Sequence, residues 1–191
     1  MKHIVLLLMF IGCANDSPNP GLLDQGPAWV DTEPMLESDI LDAFIDAYRV
    51  ERIIIHADAT RPNSRWGKDE LLHFFKEERG WSRPGYTFWI DRQGVVHSLI
   101  PNVLDCFVDY AEISNGAKGY NLSSIHIAYK GGANMKGEAT DNRTVYQKKA
   151  LSNLIEVIRN SCPDVEVISH RDLPGVTKAC PSFDATSEYF N

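Results

Sequence analysis

The sequence predicts an α/β fold: a single domain in which a central mixed β-sheet is flanked by helices. Short apolar runs typical of buried strands alternate with amphipathic segments of helical period, which indicates strands separated by helices. Two strand-like runs are joined by a short turn that contains glycine, so one antiparallel hairpin is expected. The chain has 191 residues, of which 43% are hydrophobic, enough for one core and too few for two.

The first half of the chain is expected to contribute two helices and the most apolar strand. A short amphipathic helix is predicted to begin at Ser38, because apolar residues follow it at helical spacing. The strand covers residues 53–55, which are all isoleucine, and ends at His56. The second helix covers residues 68–79, and Gly80 ends it.

The second half is expected to supply the hairpin, two further strands and two helices. The hairpin joins residues 86–90 to 95–100 through a turn whose glycine, Gly94, takes the position that needs a positive φ. The remaining elements are a strand at 124–129, a long helix at 144–160, a strand at 165–168 and a short closing helix at 183–190. The buried face of the long helix is predicted to contain Val145, Leu151, Leu154, Ile155 and Ile158.

The charge of the chain argues against nucleic acid as a partner. The net charge is −7 and the isoelectric point about 5.3, and no stripe of lysine and arginine is present that would displace counterions from phosphates. We expect the protein to act as a monomer.

The first residues are typical of an export signal. A basic tip precedes a short apolar run, and the small residue directly before Cys13 resembles the lipobox of bacterial prolipoproteins. We predict a signal peptide at 1–12, acylation of Cys13, a flexible tether at 13–35 and one folded domain at 36–191. The protein would then be a lipoprotein of the cell envelope that faces the periplasm or the surface. Secretion after ordinary cleavage and burial of the segment in the fold are the alternatives.

Three side chains form a predicted metal site. His170 follows the strand at 165–168, and Cys180 lies on the loop that returns from it. If the two strands lie side by side, His56 emerges at the same edge of the sheet as His170. Two imidazoles and one thiolate can bind Zn²⁺ tetrahedrally and leave the fourth position open, which is the arrangement of a catalytic rather than a structural zinc.

Four motifs along the chain point to a family. They are His56-Ala57-Asp58-Ala59-Thr60, Gly80-Trp81 with Gly85-Tyr86-Thr87-Phe88, Ala117-Lys118-Gly119-Tyr120-Asn121, and Lys178-Ala179-Cys180-Pro181-Ser182-Phe183-Asp184. Their order resembles that in the zinc N-acetylmuramoyl-L-alanine amidases, the superfamily of phage endolysins and peptidoglycan recognition proteins. The resemblance covers roughly residues 50–191, and four motifs in the right order are far more specific than any one of them.

The resemblance implies hydrolysis of the amide that joins N-acetylmuramic acid to the L-alanine of the peptidoglycan stem peptide. It implies Zn²⁺ as the cofactor, with His56, His170 and Cys180 as its ligands, and a catalytic role for Tyr86. Lys178, two residues before the thiolate, is placed to donate to the developing oxyanion. A phenol has an ordinary pKa of about 10, so we expect Tyr86 to act first as a hydrogen-bonding partner.

The chain departs from the family pattern at three places. Residues 101–113 form a longer and more apolar link than the family would lead one to expect, so substrate contacts on that side are not carried over. Gly116 stands where phage relatives have a histidine. His126 stands where a small residue is more usual, and we interpret it as a hydrogen-bonded histidine of the sheet.

Three other functions compete with this one. A recognition module would bind peptidoglycan without cleaving it, but members of that kind typically lose the cysteine that this chain keeps as Cys180. A cysteine hydrolase would use Cys180 as nucleophile and His170 as base. An amidase that recycles soluble muropeptides would usually carry aspartate at this position.

Cys106 and Cys162 have no role in this scheme. In an exported protein they could form a disulfide, but the sequence does not fix a pairing. Two inert buried thiols are an equal alternative.

Overall fold

A computed structural model describes residues 47–190 of the chain. The predicted signal peptide at 1–12, the acylated Cys13, the tether at 13–35 and the helix from Ser38 lie outside the described residues. None of the helices between residues 47 and 190 has the length and the apolar composition that a membrane-spanning helix needs.

A five-stranded mixed sheet forms the centre of the fold, with strand order β4-β3-β6-β2-β7. The strands β3, β6, β2 and β7 run parallel to one another. The fifth strand, β4, pairs antiparallel with β3 in the predicted hairpin. A two-stranded antiparallel sheet pairs β1 with β5. The strands are β1 (Tyr48–Arg49), β2 (Arg52–Ala57), β3 (Phe88–Ile90), β4 (Val96–Ser98), β5 (Phe107–Val108), β6 (Ser124–Tyr129) and β7 (Glu166–Ser169).

Three α-helices accompany the sheet in the described part of the chain. They are α1 (Lys68–His73), α2 (Val145–Ser161) and α3 (Ala185–Glu188). The segment Phe74–Glu78 continues α1 as a π-helix, a form in which the turns are wider than in an α-helix. Gly80 ends this helix with a φ of 64°, as its position predicts. The closing helix is shorter than the predicted 183–190.

The main core lies between the sheet and α2. It contains isoleucines of β2 and β6 packed against apolar residues of α2, including Ile53, Ile55, Ile125, Ile127, Leu151, Ile155 and Ile158. Each such side chain contributes about 1.5 to 3 kcal/mol through burial. The opposite face of the sheet packs Trp89 and Ala128 against Leu71 and Phe75. Both faces of the sheet are therefore covered, as parallel strands require.

The prediction that Val145 belongs to the buried face of α2 is wrong. Its side chain is 74% exposed, because the inward position of the first turn is taken by Gln147, which is fully buried. The amide of Gln147 donates to the carbonyls of Ile90 and Lys130 at 3.2 and 2.9 Å. A polar side chain is accepted here because it satisfies backbone groups at the ends of β3 and β6.

The structure joins Cys106 to Cys162 in a disulfide, which decides between the two alternatives for these residues. The bond links the divergent segment at 101–113 to the C-terminal end of α2. Within that segment the buried carboxylate of Glu112 accepts hydrogen bonds from the amides of Val103 and Asp109. The segment is therefore held to α2 by a covalent bond and ordered internally by buried polar contacts.

Candidate active site

The sheet brings His56 and His170 to one edge, as the sequence predicts. His56 lies in β2, and His170 begins a 3₁₀ turn directly after β7. The two strands are parallel neighbours, with Ile55 opposite Ser169. Because the ends of parallel strands meet at the same edge, the two imidazole centroids lie 4.5 Å apart.

Cys180 completes a cluster of three candidate metal ligands. One donor atom each from His56, His170 and Cys180 lies within 4.8 Å of the other two. Cys180 Sγ is 3.8 Å from His56 Nδ1, close to the separation of about 3.5 Å that nitrogen and sulfur ligands have around a tetrahedral zinc. The sulfur also accepts a hydrogen bond from the amide of Ala57 at 3.3 Å. The three residues therefore fit Zn²⁺ in distance and in donor chemistry.

The histidines of the site are neutral at ordinary pH, which leaves their lone pairs available. Burial holds the pKa of His56 well below its usual value, and neighbouring His126 and His170 lower it further. Burial lowers the pKa of His126 to about 3, and burial with the nearby charge of Lys178 lowers the pKa of His170. Neutral imidazole is the form that binds a metal.

The thiol of Cys180, unlike these imidazoles, is not in the protonation state that binds a metal. Burial raises its pKa to about 11, although the amide of Ala57 and the charge of Lys178 act against this shift. The sulfur is therefore protonated at neutral pH in the protein alone. A divalent cation at the site would supply the positive charge that a thiolate needs there.

A cavity of about 490 Å³ opens over this cluster. Lys178 and Tyr86 line it together with the three candidate ligands, and Phe74, Phe75 and Trp81 form an aromatic wall. The rings of Phe75 and Trp81 are stacked, with centroids 5.5 Å apart and an interplanar angle of 8°. The cavity thus combines a polar cluster with an apolar wall, as ligand sites usually do.

Tyr86 lies beside the cluster, as the resemblance implies. Its ring centroid is 5.2 Å from that of His56, and it makes a T-shaped contact with the ring of Phe75, with centroids 5.4 Å apart. Burial raises the pKa of Tyr86 above its ordinary 10, and negative charge on Cys180, when it is a thiolate, and on Asp58 raises it further. The phenol therefore keeps its proton and can donate a hydrogen bond.

Lys178 is exposed and lines the same cavity. It precedes Cys180 by two residues on the loop that carries the sulfur, and its charge acts on both His56 and His170. An ammonium in this place can meet negative charge that develops on a bound carbonyl.

Sequence reasoning did not anticipate two contacts of the site. His126 is hydrogen-bonded, as expected, but its partner is His56: its Nδ1 lies 2.9 Å from His56 Nε2. The carboxylate of Asp58 accepts from the indole of Trp89 at 3.0 Å and from the amide of Gly131 at 2.9 Å, which fixes the chain just after β2. His126 lies on the same face of the sheet as His56, but only the register of β2 and β6 shows this.

Similarity to known proteins shows which family the chain belongs to. The family described as N-acetylmuramoyl-L-alanine amidase matches residues 46–183. The endolysin of Enterobacteria phage K11 is 31% identical to the chain over 141 residues, which are 74% of this chain and 86% of the endolysin.

Solved structures show the same fold. The Ph2119 endolysin from the Thermus scotoductus MAT2119 bacteriophage Ph2119 aligns with a TM-score of 0.55 and 24% identity, over 70% of this chain and 78% of that one. A mutant of Drosophila PGRP-LB, in complex with tracheal cytotoxin, aligns with a TM-score of 0.54 and 19% identity, over 74% of this chain and 83% of that one. From the matched residues 46–183 and the four motifs, the chain belongs to the N-acetylmuramoyl-L-alanine amidase family.

Proposed function

We propose that the protein is a zinc-dependent peptidoglycan amidase that cleaves the bond between N-acetylmuramic acid and L-alanine. The observation that carries the proposal is the cluster of His56, His170 and Cys180, whose donor atoms lie within 4.8 Å of one another inside a cavity that also contains Lys178 and Tyr86. Membership of the amidase family supports the same reaction.

The roles of the residues follow from their chemistry. His56, His170 and Cys180 would hold Zn²⁺ with their three donor atoms. Bound there, zinc would supply a Lewis acid that polarises the amide carbonyl and lowers the pKa of water. Lys178 would donate to the oxyanion that develops when the amide is attacked, and the protonated phenol of Tyr86 would orient the reacting oxygen by a hydrogen bond.

The cavity offers both apolar and polar contacts to a stem peptide and its sugar. Its volume of about 490 Å³ and its wall of Phe74, Phe75 and Trp81 offer apolar contact surface beside the polar cluster. A related fold, that of Drosophila PGRP-LB, has been solved with tracheal cytotoxin bound. We therefore propose peptidoglycan, both glycan and stem peptide, as the partner of this site.

A cysteine hydrolase is disfavoured by the state of Cys180. Its raised pKa of about 11 is the reverse of what an activated cysteine nucleophile shows. Its sulfur lies 3.8 Å from His56 Nδ1, and within residues 47–190 it forms no hydrogen bond with His170, the base that this mechanism requires.

The variant Cys180→Asp separates the two mechanisms. Aspartate binds zinc but cannot replace a thiolate nucleophile, so a zinc amidase should keep measurable turnover and tight zinc binding in this variant. Cys180→Ala serves as the matched control and should lose both. Complete inactivity of Cys180→Asp with zinc fully bound would instead favour the cysteine mechanism.

We also propose that the protein is exported and held at the cell envelope by a lipid on Cys13. The disulfide between Cys106 and Cys162 supports export, because such bonds persist in oxidising compartments. Replacing Cys13 by serine should move the protein from the membrane fraction to the soluble fraction. An unchanged distribution would contradict the anchor.

A further inference from the structure

His126 is a buried imidazole that the proposed chemistry does not use. It lies in the middle of β6 and is fully buried, and its Nδ1 is 2.9 Å from Nε2 of His56. A hydrogen bond between two neutral imidazoles needs a proton on one of these nitrogens and a lone pair on the other. The direction of this bond therefore decides which nitrogen of His56 carries a proton.

Only one direction is compatible with a metal at the site. Nδ1 of His56 is the nitrogen that faces Cys180 Sγ, at 3.8 Å. To bind a cation, Nδ1 must offer its lone pair, so the proton must sit on Nε2 and be donated to Nδ1 of His126. Histidine ligands of metals generally donate their second N–H to such a partner, which fixes both the tautomer and the orientation of the ring.

Gly116 makes room for this partner. A Cβ added at residue 116 would overlap the imidazole of His126. The φ of Gly116 lies outside the left-handed region, so the backbone does not require glycine there. Gly116 and His126 thus form one arrangement, in which the absent side chain of the first allows the ring of the second to reach His56.

The arrangement of Gly116 and His126 lowers the stability of the fold. This distinguishes it from ordinary core packing, which raises stability. When Nδ1 of His126 accepts from His56, its own proton sits on Nε2, and within residues 47–190 this buried atom has no hydrogen-bond partner. A buried polar group without a partner is unfavourable. A residue present only for the fold would not be expected to carry this penalty.

We propose that His126 is a positioning residue: it accepts a hydrogen bond from His56 Nε2, and so holds His56 in the tautomer and orientation that present Nδ1 to zinc. This inference rests on the zinc site of the proposed function. It predicts that the acceptor at His126 governs zinc affinity, whereas the bulk of the ring governs only packing.

Two substitutions separate these properties. His126→Asn places an amide oxygen near the position of Nδ1 and keeps an acceptor, whereas His126→Leu keeps apolar bulk without one. We expect zinc affinity, measured by competition with a chromophoric chelator, to fall about 10- to 100-fold in His126→Leu and to stay close to wild type in His126→Asn. The exposed His73, replaced by leucine, is the control for loss of a histidine and should bind zinc normally.

Gly116→Ala tests the same contact without removing the imidazole. The added methyl group should displace the ring of His126 and weaken zinc binding while leaving every candidate ligand intact. A long-range ¹H–¹⁵N correlation spectrum of the zinc-loaded wild type should show His56 protonated at Nε2 and not at Nδ1. This spectrum decides the question even if His126→Leu fails to fold.

The outcomes are distinct. Normal zinc affinity in His126→Leu, equal weakening in His126→Asn and His126→Leu, or a proton on Nδ1 of His56 in the zinc-loaded protein would each overturn the inference. Failure of the wild type to bind zinc at all would instead overturn the proposed function, so the two failures can be told apart.

Discussion

Lys178 and Tyr86 line the same cavity but differ in their surroundings. Lys178 is exposed on the loop that carries Cys180, whereas Tyr86 is packed between Phe75 and His56. Neither residue belongs to the cluster of candidate ligands. Their substitution should therefore change turnover and leave metal binding largely intact.

Replacing Lys178 by methionine removes the ammonium and keeps the apolar stem. We expect kcat to fall about 100- to 1000-fold, because one donor to the developing oxyanion is lost. Steady-state kinetics on soluble muropeptides, with zinc content measured in parallel, provide the check. Lys149→Met, at an exposed lysine of α2, is the control and should be as active as the wild type. Loss of zinc from Lys178→Met would show that the lysine acts on the metal site instead.

Replacing Tyr86 by phenylalanine removes one hydrogen-bond donor. We expect kcat to fall about 100-fold. The shape of the pH–rate profile should not change, because the pKa of the Tyr86 phenol is raised above the range in which the enzyme works. Tyr146→Phe, at an exposed tyrosine, is the control. Disappearance of a basic limb from the profile in Tyr86→Phe would mean that the phenol titrates during catalysis.

At the scale of elements, the spacing of apolar residues and the positions of glycine in the sequence were sufficient to predict most helices and strands. The strand at 124–129 is confirmed at both ends, Gly94 takes the predicted positive φ, and the helix that begins at residue 68 stops before Gly80, as predicted. Val145 was misplaced because an apolar residue in the first turn of a helix can point away from the core while Gln147 satisfies backbone groups beneath it. Periodicity does not indicate where buried carbonyl groups need a donor.

The disulfide attaches the divergent segment to α2 and should stabilise the whole domain. Its two cysteines are separated by 56 positions, so breaking the bond frees a long loop in the unfolded chain. We expect Cys106→Ser with Cys162→Ser to lower the free energy of unfolding by about 2 to 4 kcal/mol in the chain-entropy account. Denaturant unfolding of the oxidised wild type and the double variant measures this difference. Equal unfolding midpoints would contradict it.

Acid should weaken the ion pair between Arg143 and Asp141 in the loop before α2. The buried guanidinium of Arg143 donates to Asp141 at 2.9 Å and to Glu188 at 2.8 Å. The hydrogen bonds from Arg143 hold the pKa of Asp141 below its ordinary 3.8. Because the folded-state pKa is the lower one, this stabilisation is present above pH 3.8 and is lost as the pH falls through the folded-state value.

Asp141→Asn tests this pH dependence. The variant should unfold with about 1 kcal/mol less free energy than the wild type at pH 7, a modest value because the carboxylate is partly exposed to solvent. The difference should disappear in strong acid, where the wild-type carboxyl is protonated. Asp164→Asn, at an exposed ion pair with Arg49, should show no comparable change. A difference that persists in strong acid would exclude the carboxylate charge as its source.

At the scale of the whole molecule, the candidate site could be predicted because its ligands follow from topology. His56 lies near the end of β2 and His170 directly after β7, two parallel strands whose ends meet at one edge, and Cys180 lies on the loop that follows. His126 could not be assigned, because its contact with His56 depends on the register between β2 and β6 and on the space left by Gly116. Residues at the ends of neighbouring strands could thus be placed together from the sequence. A contact that depends on the register between two strands could not.

The most direct test of the account is the release of new amino termini from purified peptidoglycan. The protein is assayed as purified, after removal of metal by a chelator, and after zinc is added back. We predict that stem peptides beginning with L-alanine appear, that they vanish with the chelator, and that they return with zinc. Cleavage that survives complete chelation would contradict a zinc enzyme, and zinc-loaded protein that frees no alanine amino termini would contradict an amidase.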